Sequence, residues 1–381
     1  MAKNLNEALD RFQNLRNDGL QAIIDGKKQG MKVVGTYCTY CPQELILAAG
    51  AVPIGLCGTV ETPIPAAEEV LPRNLCPMIK SSYGFAATDT CPFFHFADLI
   101  IGETTCDGKK KMFELMNEIK PVHVMNLPNI PDGEDSLNLW VAEMRRLRAR
   151  LEEEFAVTIS DEDIWEAIDL VDRERRALKE LHDLNQQNPP LLPGMKLLQA
   201  SWLRTFAVDK RAVIKSTYDL IEAARDSAPA TPSRKPRVLL TGCPVGLGSE
   251  KVVRLLDELG ADMVAMENCI GYKTLELQAD RTQEDPLVAL AKKYLEIPCS
   301  CMSPNPRRLN LLDRMIRNFS VDAVIDLVWQ ACHTYNIESY SIGKLVREHG
   351  LPYLHLESDY SQSDVEVLKV RIEALLEMAE S

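Results

Sequence analysis

The sequence predicts an α/β protein with two doubly wound parallel-sheet domains and a helical segment between them. Short apolar runs alternate with helical patterns over residues 32–125 and again over residues 237–378. Residues 135–226, by contrast, carry helical periodicity without strand-like runs. Alternation of short strands with helices is typical of parallel α/β sheets, so the first two regions predict sheets and the third does not.

The first predicted domain spans residues 1–134 and begins with an amphipathic helix over 1–25. Its later elements alternate, with strands at 32–37, 52–57, 97–102 and 121–125 and helices at 42–50 and 108–119. This order favours a flavodoxin-like or Rossmann-like sheet.

The helical segment is predicted over residues 135–226. Ser160 and Asp163 precede an apolar repeat with the spacing of a capping box, which marks a helix start. The apolar side chains that follow recur on one helical face: Ile164, Ala167, Ile168, Val171, Leu178 and Leu181. The Pro- and Ser-containing stretch 226–236 predicts a linker.

The second predicted domain spans residues 237–381 and repeats the rhythm of the first. Its strands are predicted at 237–241, 262–266, 321–328 and 352–357, and its helices at 249–259, 305–318, 336–349 and 364–378. The two domains are therefore expected to share one architecture.

Composition excludes two classes of partner. The chain has 381 residues and a net charge of −13, which disfavours binding to the phosphate backbone of nucleic acid. Its apolar runs are shorter than a membrane span, and its N-terminus is polar rather than signal-like. We therefore expect a cytoplasmic protein.

The cysteine content is high for that compartment, with eleven in the chain. Most of them follow a predicted strand or precede a predicted helix, while Cys76 and Cys91 are expected in loops. Because the carboxyl ends of parallel strands form the ligand-binding edge of a sheet, these thiols are expected to converge. The alternative is that individual cysteines serve as small buried apolar residues.

A thiol at a strand–helix junction lies near free backbone N–H groups and the positive end of the helix, and both stabilise a thiolate. Cys106 illustrates this arrangement, and the lysines at 109–111 either add positive charge nearby or lie on a solvated helix face. Zinc would favour repeated C-x-x-C pairs, and Cys38–Cys41 is the one such pair in the sequence. Dispersed thiols suit an iron–sulfur cluster better.

Other candidate chemistry is limited. The stretch "GCPVGLGS" at 242–249 lacks the Lys-Ser/Thr of a phosphate loop, so we interpret it as a turn around Cys243. His333 is a candidate proton donor or a turn cap. Glu44 is a candidate catalytic acid or an acid favoured by the first helical turn.

Four segments, "VGTYCTYCPQELILAAGAVPIGL", "LCPMIKSSYGF", "IIGETTCDGKKKM" and "QACHTY", occur in this order. They resemble the iron–sulfur subunits of the 2-hydroxyacyl-CoA dehydratase and benzoyl-CoA reductase superfamily. The resemblance covers nearly the whole chain and implies two α/β domains with a 4Fe–4S cubane between them. By motif position, it implies Cys76, Cys106 and Cys332 as cubane ligands.

Additional cysteines in the second domain depart from the dehydratase pattern and resemble the double-cubane cluster proteins of the same superfamily. That resemblance implies an 8Fe–9S cluster, in which two cubanes are bridged by sulfide and held by six cysteines of one chain. The second cubane is then assigned to Cys243, Cys269 and Cys301, with Cys299 as a close rival to Cys301 and Cys38 as an outside candidate.

The resemblance also implies a separate homodimeric ATP-hydrolysing iron–sulfur activator as electron donor, and a homodimer of this chain. The function expected first is reduction of small unsaturated or nitrogenous molecules. The alternatives are a 2-hydroxyacyl-CoA dehydratase that works through one cubane and a ketyl radical, and a non-catalytic protein that stores electrons.

Overall fold

Two parallel sheets organise the structure, a computed structural model that describes residues 4–229 and 231–380. The first has the order β2-β1-β3-β4, with β1 Val33–Thr36, β2 Val52–Gly55, β3 Leu99–Glu103 and β4 Val122–Met125. The second has the equivalent order β6-β5-β7-β8, with β5 Arg237–Gly242, β6 Asp262–Glu267, β7 Ala323–Trp329 and β8 Tyr353–Ser358. Each predicted strand is present, and the predicted α/β fold class is confirmed.

Helices cover both faces of the first sheet: α1 Leu5–Lys27, α2 Gln43–Ala48, α3 Ile64–Ala67, α4 Pro77–Thr88, α5 Pro92–Phe96 and α6 Asp107–Met116. The loop prediction for Cys76 and Cys91 is confirmed, and each cysteine is the N-cap directly before a helix, α4 or α5. In both cases a proline follows the cysteine at the first helical position, where its missing N–H costs nothing.

The helical segment contains α7 Glu134–Phe155, α8 Asp161–Asp183, α9 Gly194–Leu203 and α10 Lys210–Asp226. The predicted capping box is confirmed, since the Asp163 amide donates to Ser160 Oγ at 3.1 Å and the Ser160 amide donates to Asp163 Oδ2 at 2.8 Å. The predicted apolar face of α8 is buried. This segment packs against α1 and α2 on one side and against the second α/β region on the other.

The second α/β region contains α11 Lys251–Glu258, α12 Pro286–Leu295, α13 Pro306–Asn318, α14 His333–Glu348 and α15 Val365–Glu380. Of these, α12 was not predicted; it packs on α7 and joins the core around the first sheet. Residues 1–3, 230 and 381, which fall within the predicted first helix, linker and second domain, lie outside the described residues. The exact domain limits stay a prediction.

Candidate cluster-binding site

Nine of the eleven cysteines line a single cavity of about 930 Å³ between the two sheets. All six predicted ligands are in its wall, and the full set is Cys38, Cys57, Cys76, Cys106, Cys243, Cys269, Cys299, Cys301 and Cys332. The volume is near the upper end of the range of about 300–1,000 Å³ for small-molecule sites. Cys41 is buried outside this lining, and Cys91 caps α5 away from it.

The topology explains the convergence. In each sheet the strand order reverses beside the first strand, and ligands bind at that switch point outside the carboxyl ends of the strands. Cys38 and Cys106 follow β1 and β3 at the switch point of the first sheet. Cys243 and Cys332 follow β5 and β7 at the switch point of the second sheet. The two switch points therefore contribute to one shared cavity.

Three of the cysteines cap helices at the cavity wall. Cys76, Cys106 and Cys332 are the N-caps of α4, α6 and α14. The Lys109 amide donates to Cys106 Sγ at 3.4 Å. Free N–H groups and the helix dipole favour negative charge at this position, so the three helix ends suit thiolates and an anionic group bound by them.

The sulfur contacts divide the cysteines into two groups. In the first group Cys76 lies near Cys106 and Cys332, and Cys243 lies near Cys332. Interaction with the Cys243 thiol lowers the pKa of Cys332. Cys243 thus lies with the first group, whereas the resemblance implied a place beside Cys269 and Cys301.

The second group contains Cys38, Cys269, Cys299 and Cys301. Cys301 lies near Cys299, and interaction with the Cys301 thiol lowers the pKa of Cys299 well below its usual value. Cys38 and Cys269 are both close enough to Cys299 for their charges to interact. Cys38 therefore lies with the second group, although the sequence analysis gave it only as an outside candidate for a ligand of the second cubane.

Cationic side chains outnumber carboxylates in the cavity lining although the whole chain is acidic. The lining includes five Lys or Arg side chains and two carboxylates, against a net charge of −13 for the chain. Lys109 faces the cavity and donates to the Tyr37 carbonyl at 3.4 Å. Lys110 also lines the cavity, but it is half exposed and pairs with Asp107, and Lys111 pairs with Glu114 on exposed surface. The lysine run therefore adds positive charge at the cavity through Lys109 and lies on a solvated helix face at Lys111.

Glu103 is a buried acid that the sequence interpretation missed. It ends β3, its exposed fraction is 0%, and neither carboxylate oxygen has a hydrogen-bond partner among the described residues. Burial raises its pKa to about 7, and the charge of Lys109 opposes that rise. The sequence signal that could have identified Glu103 is its position directly after the apolar run "LIIG".

The two predicted catalytic residues occupy different surroundings. His333 begins α14, is exposed to solvent and lies in the cavity lining. Glu44 is not part of that lining, and its carboxylate accepts from Lys293 Nζ at 2.7 Å and from the Tyr294 hydroxyl at 2.7 Å. The catalytic role of each stays a prediction, and the contacts of Glu44 favour a structural role.

Gly242 sets the position of Cys243. Its φ is +112°, and a Cβ at this residue would lie 2.1 Å from the Leu327 carbonyl oxygen on β7. We expect Gly242→Ala to lower the free energy of unfolding by more than the 1–3 kcal/mol or so typical of backbone strain alone, because a steric clash is added. Urea unfolding measures this.

Gly260 supplies the matched control for that substitution. It also has a positive φ, +79°, but a Cβ at this residue would have no other atom within 4 Å. Gly260→Ala should therefore show the strain without the clash. Equal losses in the two variants would contradict the close approach of β5 and β7 at Cys243.

The donor set fits an iron–sulfur cluster better than a single ion. Within residues 4–229 and 231–380, no three His, Cys, Asp or Glu side chains are grouped to hold one metal ion. Iron–sulfur clusters are held by cysteine thiolates, so dispersed thiols around a roomy cavity suit a larger cluster. No helix in the described part of the chain is both long and apolar enough to cross a membrane.

Comparison with known proteins gives one family. The family model for the 2-hydroxyglutaryl-CoA dehydratase D-component matches residues 38–379. YjiM of Escherichia coli (strain K12), whose name describes it provisionally as a dehydratase subunit, is 48% identical over 97% of both chains.

More distant relatives extend along nearly the same length. The (R)-phenyllactyl-CoA dehydratase beta subunit of Clostridium sporogenes is 23% identical over 98% of this chain and 99% of its own. A benzoyl-CoA reductase subunit of Thauera aromatica is 20% identical over 90% of this chain and 89% of its own.

Proposed function

The chain belongs to the family of the 2-hydroxyglutaryl-CoA dehydratase D-component, and we propose that within it the chain is a reductase that carries a double-cubane iron–sulfur cluster. The observation that carries the proposal is the convergence of nine cysteines on one cavity. One cubane needs three or four thiolates, so the wall holds enough for two. Members of this family are dehydratases or reductases.

The proposed ligands of the first cubane are Cys76, Cys106 and Cys332. Those of the second are Cys243, Cys269 and Cys301. Because of the contacts described above, Cys299 is the alternative to Cys301, and Cys38 is the alternative to Cys243.

A bound cluster of this kind would supply storage and delivery of single electrons at low potential. The chain's own groups stabilise negative charge in the cavity and limit the access of water to it. The N-termini of α4, α6 and α14 and the ammonium of Lys109 hold negative charge in the cavity. The apolar and cysteine-rich wall limits water, and the imidazole of His333 lies in the cavity lining within reach of solvent.

The proposed electron donor is a separate homodimeric activator that hydrolyses ATP and carries its own cluster. The proposed assembly of this chain is a homodimer, which a measurement of mass in solution tests. The substrate is proposed to be a small unsaturated or nitrogenous molecule that the cavity admits beside the thiols.

Iron and acid-labile sulfide per chain, measured on protein purified without oxygen, test the proposal. About eight irons per chain support two cubanes, whereas about four mean one. The activator with ATP should then reduce the cluster and support turnover of small substrates. Reduction without turnover of any substrate would instead favour a protein that stores electrons.

A 2-hydroxyacyl-CoA dehydratase is the second candidate, because a relative aligned over nearly the whole chain is named as a dehydratase subunit. It predicts about four irons per chain. It also predicts activity on 2-hydroxyacyl-CoA thioesters and none on the small molecules of the first proposal.

A further inference from the structure

Tyr335 places a hydroxyl group in the wall of the cysteine cavity. It lies in the first turn of α14, three residues after Cys332, and only 6% of it is exposed. Its hydroxyl oxygen accepts a hydrogen bond from Lys273 Nζ and lies 4.0 Å from Cys299 Sγ. The tyrosine is therefore positioned between a buried cation and a cysteine of the second group.

Buried charges hold Lys273 in this position. Its Nζ lies 3.3 Å from Glu267 Oε1, and both side chains are 0% exposed. Arg308 is also 0% exposed and pairs with the other oxygen of Glu267 at 3.2 Å. Such a network leaves the ammonium little freedom, because displacing it would leave a buried carboxylate with one partner fewer.

The same two cations approach the face of the Tyr335 ring. Lys273 Nζ is 4.8 Å and Arg308 Cζ is 4.7 Å from the ring centroid. A lysine ammonium has donors and no acceptor, so the Tyr335 oxygen accepts and its own proton points elsewhere. Cys299 Sγ is the acceptor that the structure places beside that proton.

We propose that Tyr335, held by Lys273, is a positioning residue that donates a hydrogen bond to the sulfur of Cys299, the alternative to Cys301 as ligand of the second cubane, and raises the reduction potential of the cluster half bound there. This inference rests on the proposed function. A donor to sulfur stabilises the more negative, reduced state, and hydrogen bonds to sulfur are among the ways in which proteins set cluster potentials.

Tyr335→Phe tests the proposal because it removes the hydroxyl and keeps the ring beside the two cations. The loaded variant and wild type are titrated with a low-potential reductant under anaerobic conditions and followed by electron paramagnetic resonance. We expect the one-electron reduction equilibrium to become about tenfold less favourable, a shift of about 59 mV to lower potential. Iron per chain should stay at the wild-type value.

Tyr340→Phe is the matched control, because Tyr340 lies on the same helix with 78% of it exposed. It should leave the reduction potential unchanged.

An unchanged reduction potential in Tyr335→Phe with full iron would overturn the inference. Loss of iron from Tyr335→Phe would overturn it too, since the residue would then act in assembly. Absence of iron from the wild type would refute the proposed function itself, which is a separate result.

Discussion

Cys106→Ala is expected to abolish stable cluster binding and, with it, every activity that depends on the cluster. Cys106 lies at the switch point of the first sheet and caps α6, and its sulfur accepts from the Lys109 amide at 3.4 Å. Loss of this thiolate removes one of the three ligands proposed for the first cubane, and the other two, Cys76 and Cys332, leave it one thiolate short. The measurement is iron and acid-labile sulfide per chain on anaerobically purified protein.

Cys91→Ala is the control with the same local chemistry. Cys91 also caps a helix and precedes a proline, as Cys76 does, but it is not part of the cavity lining. We expect it to retain the full iron content of the wild type. Full iron in Cys106→Ala would show that the first cubane is assigned to the wrong cysteines.

The fold and the place of the site were predictable because both depend on local patterns. Short apolar runs marked the eight strands, and the rule that ligands bind at carboxyl ends of parallel strands then placed Cys106 at that edge of the first sheet and Cys243 and Cys332 at that edge of the second. The Cys-Pro pairs at Cys76 and Cys91 were a helix-start signal that the sequence interpretation did not use.

The grouping of the thiols was not predictable in the same way. The contact of Cys243 with Cys332 joins two loops of one sheet, while the second group combines Cys38 of the first region with Cys299 of the second. Such contacts depend on how the two regions pack, and no periodicity in the sequence encodes that arrangement. Tyr335 and Glu103 were missed for a related reason, since burial of a polar side chain follows from tertiary packing.

Glu44→Gln is expected to lower the free energy of unfolding at pH 7 by about 3 kcal/mol. Glu44 on α2 accepts from Lys293 and Tyr294 on α12, and Arg175 of α8 lies 3.4 Å away, so one carboxylate connects three parts of the chain. Burial opposes ionisation of Glu44, but Lys293 and Arg175 outweigh it and lower the pKa to about 2. The amide leaves these buried cations with Asp172 as their remaining carboxylate partner. Urea unfolding of both proteins measures the loss.

The pH dependence separates this ion pair from a general loss of packing. Because the folded pKa of Glu44 is lower than that of the unfolded chain, its stabilisation is complete above about pH 4.5 and is lost as the pH falls towards about 2. The difference in free energy of unfolding between wild type and Glu44→Gln should therefore be constant near neutrality and shrink below about pH 4.5.

Glu114→Gln is the control, because it removes an exposed partner of Lys111, and it should lower the free energy of unfolding by less than about 1 kcal/mol at every pH. A Glu44→Gln protein with wild-type stability and no turnover would contradict the structural role and support the catalytic one, because the acid would then act on substrate without holding the three parts together.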